Sequence, residues 1–342
     1  MALYLIGLGL GSLDYTSLKA IREIMKCHIA YLDTYTGLIS EELVDWLRKK
    51  LDGRLKLACR RDLEDNLEKI VEEARNIDVA ILVPGDPLIA TTHMSLLVEA
   101  SRRRTPYKIV HGISIYSAAV SITGLHVYKF GKTTTLPLIG DPAETYMIIK
   151  ENQERGLHTM ILLDTADGGL TIPNALRRLL EAEDRLNQGI LGEDTLAIGL
   201  SRVGLEDQYI KVGMVKELIS VNYPPPPHAL IFPGELHFME VEALSKMYNI
   251  SEEVVRRHKP ARYEKERIRR YIVKTREVME NLKMMKPCKK VDKILEIASS
   301  YLEDAERFWS SGELFNALGA ITYAEGLLDS LRMMSLIDFQ WP

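Results

Sequence analysis

The apolar positions of the first 110 residues come in two alternating rhythms. Short apolar runs at 3–8 (LYLIGL), 29–33, 55–58, 78–83 (DVAILV) and 108–110 have the length and composition of buried strands. Between them the spacing is helical: Leu18, Ile21, Ile24 and Met25 after Ser17, then Leu43, Trp46, Leu47 and Leu51, then residues 62–75 and 92–104. Such alternation predicts a parallel, right-handed α/β layer. A small-residue helix within 111–131, ending at Gly124, marks the join to a second block. That block reads as strand 159–164, helix 173–183 and strands 195–200, 209–212 and 229–232. Its β-branched residues and turns predict a mixed sheet.

Beyond about residue 255 the pattern is helical almost throughout. Pro287 ends a first helix, and a helical pair divided near Gly312 follows, with Leu302, Ala305, Phe308, Leu314, Ala317, Ile321, Ala324 and Leu328 at core spacing. Residues 251–290 carry 14 basic against 6 acidic side chains, and residues 291–342 carry 3 against 9. The expected fold class is therefore α/β. Two domains, 1–115 and 116–255, are expected, and an all-helical appendage, 256–342, follows through a charged linker helix.

A chain of 342 residues can bury this much core without covalent staples, and 46% hydrophobic with 27% charged residues is ordinary for a globular protein. A formal charge of -4 gives no global attraction to nucleic acid or to an anionic membrane. Cys27, Cys59 and Cys288 are scattered without metal-ligand spacing and read as reduced thiols. The apolar N-terminus lacks the basic start of a signal peptide, and no stretch is long enough to span a bilayer. A cytoplasmic protein with no metal, no membrane contact and no nucleic-acid partner is expected.

Four stretches carry candidate chemistry. Gly7-Leu8-Gly9-Leu10-Gly11 follows the first strand, where glycines let the backbone turn tightly and approach a ligand. A dinucleotide-binding turn is one reading, with Asp33 as the ribose-binding acid, although Ser12 stands where that motif has its third glycine. A purely structural turn is another. Asp86, in Pro84-Gly85-Asp86-Pro87 at the end of the strongest strand, is placed to hydrogen-bond a polar ligand or to make an Asx turn. Thr92 serves equally as a helix cap or a ligand contact. Ser114-Ile115-Tyr116-Ser117 opens the small-residue helix with free N–H groups, and His228 enters an apolar strand after four prolines.

In this order, GLGLGS (7–12), PGDPLIATTH (84–93) and the SIYSAA and ITGLHVYKFGK stretches (114–132) resemble the archaeal diphthine synthases of the tetrapyrrole-methylase superfamily. The similarity extends through KENQERGLHTMILLD (150–164) and PPHALIFPG (226–234), covering roughly residues 1–250. The resemblance implies a two-domain homodimer with S-adenosylmethionine in the interdomain cleft. It implies methylation of the 3-amino-3-carboxypropyl-histidine of translation elongation factor 2, giving diphthine. Cofactor contacts carried over motif by motif are Leu10, Asp86, Ile89, Ser114, Ile115, Leu163, Val203 and His228. The 136–145 loop is shorter than the family's. Residues 301–331 resemble a small archaeal helical domain of unknown function.

An activated methyl donor requires neither metal nor covalent intermediate, so positioning and desolvation are the protein's main contributions. Tyr35 or Tyr116 offers an aromatic face to a growing ammonium. His93, His126 and Asp164 lie near the motifs without any one standing out as a general base. Lys129 or Arg202 supplies the cation that a substrate carboxylate requires. Two rival readings remain: methylation of a corrin-type tetrapyrrole, and a non-enzymatic nucleotide-binding adaptor working through its helical tail.

Overall fold

Every residue of the first strand of this computed structural model, β1 (Leu3–Gly7), is buried. Its side chains alternate between two cores. Tyr4 and Ile6 join Ile24, Leu43 and Leu47 on one side, while Leu3 and Leu5 join Ile70, Val71 and Leu96 on the other. A strand covered on both faces shows no polar side, which explains the unbroken apolar run. With β2 (Ile29–Asp33), β3 (Leu55–Ala58), β4 (Val79–Val83) and β5 (Tyr107–Val110) it forms a wholly parallel sheet in the order β3-β2-β4-β1-β5. Residues 1–258 and 263–341 are described here.

The helix after β1, Leu18–Lys26, packs into the first of those cores, and the helix after β4, Met94–Arg102, into the second. Neighbouring strands whose helices leave to opposite faces create a crevice at their carboxyl ends. The Gly7–Gly11 and Pro84–Pro87 turns sit in that position. Ser17, Ser40 and Ser114 cap helices by accepting from Ala20, Leu43 and Tyr116 N–H, and Gly124 ends the Ile115–Thr123 helix at φ 72°.

A second sheet follows, with β6 (Thr134–Leu136), β7 (Thr159–Leu163), β8 (Leu196–Ser201), β9 (Tyr209–Met214) and β10 (His228–Phe232) in the order β6-β7-β10-β8-β9. It is mixed: β6 and β7 run parallel, and the other pairings are antiparallel. Residues 263–341 belong to a separate compact unit of three helices, Tyr263–Asn281, Lys289–Ser311 and Leu314–Met333, the last two separated by Gly312 at φ 83°. Leu302, Ala305, Ala317, Ile321, Ala324 and Leu328 are buried there, with Phe308 and Leu314 half-buried beside them. Two short strands, Lys283–Met284 and Ile337–Asp338, pair antiparallel in this unit. Lys259 and Arg262 of the basic linker lie outside the described residues.

Several expectations are corrected. Leu18 and Met25 face solvent, and Ala20, Glu23 and Ile24 form the buried side of their helix, with Lys19 and Lys26 pairing to the Glu23 carboxylate. The helix expected over 62–75 is two, Arg60–Leu63 and Leu67–Glu73, a break hidden because Leu63, Leu67, Ile70 and Val71 keep helical phase across it. The helices Ala143–Glu154 and Phe238–Tyr248 escaped the apolar pattern. The first buries Thr145, Asn152 and Gln153 among its apolar residues, and the second buries Glu240.

Glu240 is fully buried. His158 Nε2 lies 2.9 Å and Lys129 Nζ 2.7 Å from its carboxylate, and the backbone N–H groups of His126 and His237 donate to it at 2.8 and 2.7 Å. Burial pushes this carboxyl up, but those partners outweigh it and hold the group well below the ordinary range. Its contribution to stability is complete above the unfolded carboxyl's pKa, about 4.3. It is lost as pH falls from there toward the folded value. Glu240→Gln should cost about 1–3 kcal/mol at neutral pH by replacing charge-assisted bonds to His158, Lys129 and two backbone amides with neutral ones, one of them mismatched. The variant's melting temperature should then fall less steeply on acidification than that of the wild type, as a calorimetric pH series would record.

Candidate active site

Three loop backbones meet at the carboxyl ends of β1, β4 and β5. Leu8 N–H donates to Val83 O at 2.8 Å, Gly9 N–H to Gly85 O at 3.2 Å, and Gly85 N–H to Gly9 O at 2.5 Å. A Cβ on Gly7 would stand 2.6 Å from both Gly112 N and Gly85 O, so only glycine permits this approach. The glycine run therefore serves strand-end packing as well as any ligand.

Asp86 ties the loops further. Its buried carboxylate accepts Leu88 N–H on Oδ1 at 3.0 Å, and on Oδ2 it meets His111 Nδ1 at 2.8 Å and Gly112 N–H at 3.3 Å. It thereby fixes the segment leading into Ser114 and Ile115. From the second sheet, the turns after β7 and β8 and the start of β10 face this platform. Gly204, in the turn after β8, packs its backbone against the Leu10 side chain so closely that a Cβ there would collide with it. Thr165 Oγ1 donates to Tyr35 O at 3.2 Å, a second link between the two layers.

Between the layers lies a cavity of about 450 Å³, a size suited to a small organic ligand. Leu10, Asp86, Ile89, Ser114, Ile115, Leu163, Val203 and His228 all line it. These eight come from six separate segments, which no local spacing would have grouped.

The remaining candidates divide. Asp164 lines the cavity, and its oxygens accept Ala166 and Leu138 N–H, each at 3.0 Å. Those two hydrogen bonds outweigh desolvation and hold its carboxyl below the ordinary range. Arg202 also lines it, with Nε 2.6 Å from Asp207 Oδ1. Tyr35 lines it, but the Arg60 guanidinium already lies 5.2 Å from its ring centroid. Tyr116 packs instead against the core of the second sheet. Lys129 and His126 are outside the cavity, at the Glu240 cluster, so Lys129 is spent on a structural ion pair.

Asp33, the acid of the dinucleotide reading, points inward. It accepts Tyr35 N–H, Thr36 N–H and the Thr36 hydroxyl, with His93 Nε2 at 3.2 Å. Burial works to raise this carboxyl, but the combined donors lower it. His93 is buried with that acid and does not line the cavity. Sequence reasoning missed Arg60, Glu64 and Thr165 among the lining residues. Arg60 and Glu64 form an i,i+4 pair, and in sequence such a pair reads as a solvated helix face.

His228 accepts Ile172 N–H on Nδ1 at 3.1 Å and donates from Nε2 to Pro224 O at 2.7 Å. This fixes a neutral ring, and burial, aided by the nearby Arg202 charge, pushes its pKa below the ordinary imidazole value. Ring ¹⁵N shifts should report an Nε2–H tautomer that titrates below about 6.5. Since the folded pKa is depressed, stability from this group is present above the unfolded value and is lost as pH falls through the folded one.

Residues 2–219 match the family model described as tetrapyrrole (corrin/porphyrin) methylases, and residues 270–337 match a family described as a protein of unknown function, DUF357. The chain is 39% identical to the diphthine synthase of Methanocaldococcus jannaschii over 250 residues, covering 71% of this chain and 97% of that protein. It is 40% identical over 265 residues to the diphthine synthase of Staphylothermus marinus, covering 75% and 97%. A crystal structure of a diphthine synthase superposes with a TM-score of 0.68 at 30% identity, covering 75% of this chain and 99% of that one.

Proposed function

This chain belongs to the tetrapyrrole (corrin/porphyrin) methylase family and, within it, to the diphthine synthases, and we propose that its cleft serves methylation of a 3-amino-3-carboxypropyl-histidine on translation elongation factor 2. It is an S-adenosylmethionine-dependent methyltransferase of diphthamide biosynthesis. The observation that carries the finer reading is the convergence of eight residues, assigned to the cofactor by motif, on one cavity built from both sheets.

The lining fits such a cofactor. Leu10, Ile89, Ile115, Leu163 and Val203 offer apolar walls to a nucleoside, and Gly9 and Gly85 bring bare backbone to the same wall. In this reading Asp86 and Ser114 supply the few fixed polar contacts, His228 presents a ring already fixed by Ile172 N–H and Pro224 O, and the ionised Asp164 adds a negative charge to the wall. When bound, the sulfonium supplies an activated methyl group. The protein's own part is to hold the acceptor amine in line, about 3 Å from that methyl, and to exclude water.

The sheet-bearing halves are taken as domains 1–115 and 116–255, with 256–342 as an appended helical module. A homodimer in the cytoplasm is the assembly proposed, by analogy with the family. Among the described residues no helix is long and apolar enough to cross a membrane.

Mass spectrometry of elongation factor 2 carrying the aminocarboxypropyl-histidine, after incubation with enzyme and S-adenosylmethionine, should record methyl-sized mass gains on that histidine alone. No gain despite demonstrated cofactor binding would turn the assignment toward a tetrapyrrole acceptor. Asp86→Ala should weaken S-adenosylmethionine binding about tenfold or more in calorimetry, the effect of losing hydrogen bonds to a charged group. Unchanged affinity would move the cofactor out of this cleft.

A further inference from the structure

Most polar atoms around the cavity are already committed. Both oxygens of Asp86 and of Asp164 accept hydrogen bonds, both ring nitrogens of His228 have partners, and Arg202 holds Asp207. One corner differs. It is carried by the short Arg60–Leu63 helix, whose separation from Leu67–Glu73 brings Arg60 and Glu64 to the cavity wall.

There Glu64 Oε1 accepts the Thr92 hydroxyl at 2.8 Å and the Tyr35 hydroxyl at 3.3 Å, and Arg60 Nε lies 3.7 Å away. The Arg60 guanidinium rests 5.2 Å from the Tyr35 ring centroid. Among the described residues, no hydrogen bond or ion pair occupies the two terminal amino groups of Arg60, or Oε2 of Glu64.

An exposed ion pair one helical turn apart contributes little to stability and needs no further support. Here, however, the carboxylate is held by hydroxyls from two other segments, the turn after β2 and the segment before Met94–Arg102. The guanidinium lies within cation–π range of the Tyr35 ring. Support of this kind from neighbouring segments characterises a preorganised binding group. Burial drives the Tyr35 hydroxyl up to about 12, so it stays a donor to Glu64 at neutral pH. None of the eight cofactor-assigned residues lies on this helix.

We propose that Arg60 and Glu64 form the acceptor subsite, a receptor for an amino acid head group. The terminal amino groups of Arg60 take the carboxylate in the planar, paired geometry a guanidinium favours. Oε2 of Glu64 takes the amine. This inference rests on the function proposed above, in which the acceptor carries an amine and a carboxylate on one carbon. The opposite charges 3.7 Å apart on the cavity wall complement that arrangement. Engaging both groups fixes rotation about the acceptor side chain and aims its nitrogen into the cleft. Arg60 thereby replaces Lys129, which is committed to Glu240, while Arg202, held through Nε by Asp207, lines the cavity beside His228.

The test compares wild type, Arg60→Ala, Arg60→Lys and Glu64→Gln in steady-state methyl transfer to the modified elongation factor, with S-adenosylmethionine affinity measured separately by calorimetry. Arg60→Ala should raise KM for the factor about tenfold or more, as expected for a lost charge-assisted contact. Arg60→Lys should restore only part of that loss, because an ammonium lacks the planar fork. Glu64→Gln should also raise KM, and cofactor affinity should match wild type in all three variants. An active wild type with unchanged KM in Arg60→Ala overturns this inference alone. Weakened cofactor binding in Arg60→Ala also overturns it, by placing Arg60 in the cofactor's part of the cleft. A wild type that transfers no methyl group to the factor overturns the function reading, and this inference with it.

Discussion

The whole site depends on one steric constraint, the direct backbone-to-backbone contact of the turns that follow β1, β4 and β5. A side chain on Gly7 or Gly112 would collide with the Gly85 carbonyl, and reciprocal N–H to C=O bonds between Gly9 and Gly85 lock the contact. Because β1 and β4 are neighbours whose helices depart to opposite faces, those turns are also where the crevice opens. The geometry that closes the end of the sheet is thus the same geometry that makes a floor for a ligand. Asp86 extends it sideways by anchoring the β5 turn, and with it Ser114 and Ile115.

Much of this was legible in the sequence because each element spoke through a local signal. A strand buried on both faces must be apolar throughout, so β1 and β4 stand out. Helices with serine caps and a glycine stop, such as Ile115–Thr123, announce their ends. The mixed character of the second sheet followed from its β-branched residues and turns. Motif order, rather than any single motif, pointed to the eight residues that converge on the cavity. GLGLG alone was open to a dinucleotide reading, and only the inward placement of Asp33 removes the acid on which that reading depended.

What stayed hidden has a common physical cause: polar residues doing buried work. The Ala143–Glu154 and Phe238–Tyr248 helices turn Asn152, Gln153 and Glu240 inward, which erases the apolar stripe that would have revealed them. Lys129 looked available for a substrate because nothing in its neighbourhood names Glu240, which lies more than a hundred residues away. Arg60 and Glu64 were invisible for the opposite reason. Their spacing matches that of countless solvated helix faces, and only the fold brings Tyr35 and Thr92 against them.

The anchoring of Asp164 fixes a charge as well as a loop. Each of its oxygens accepts one backbone amide, which holds the carboxylate in place and ionised. Toward anything in the cleft it acts as a stationary source of potential, insensitive to the occupant's rotation and needing no rearrangement when one arrives. The cleft thus carries a fixed negative charge at Asp164 met by the Arg60 guanidinium on the same wall, so a guest with charges of both signs finds each of them opposed by a fixed partner.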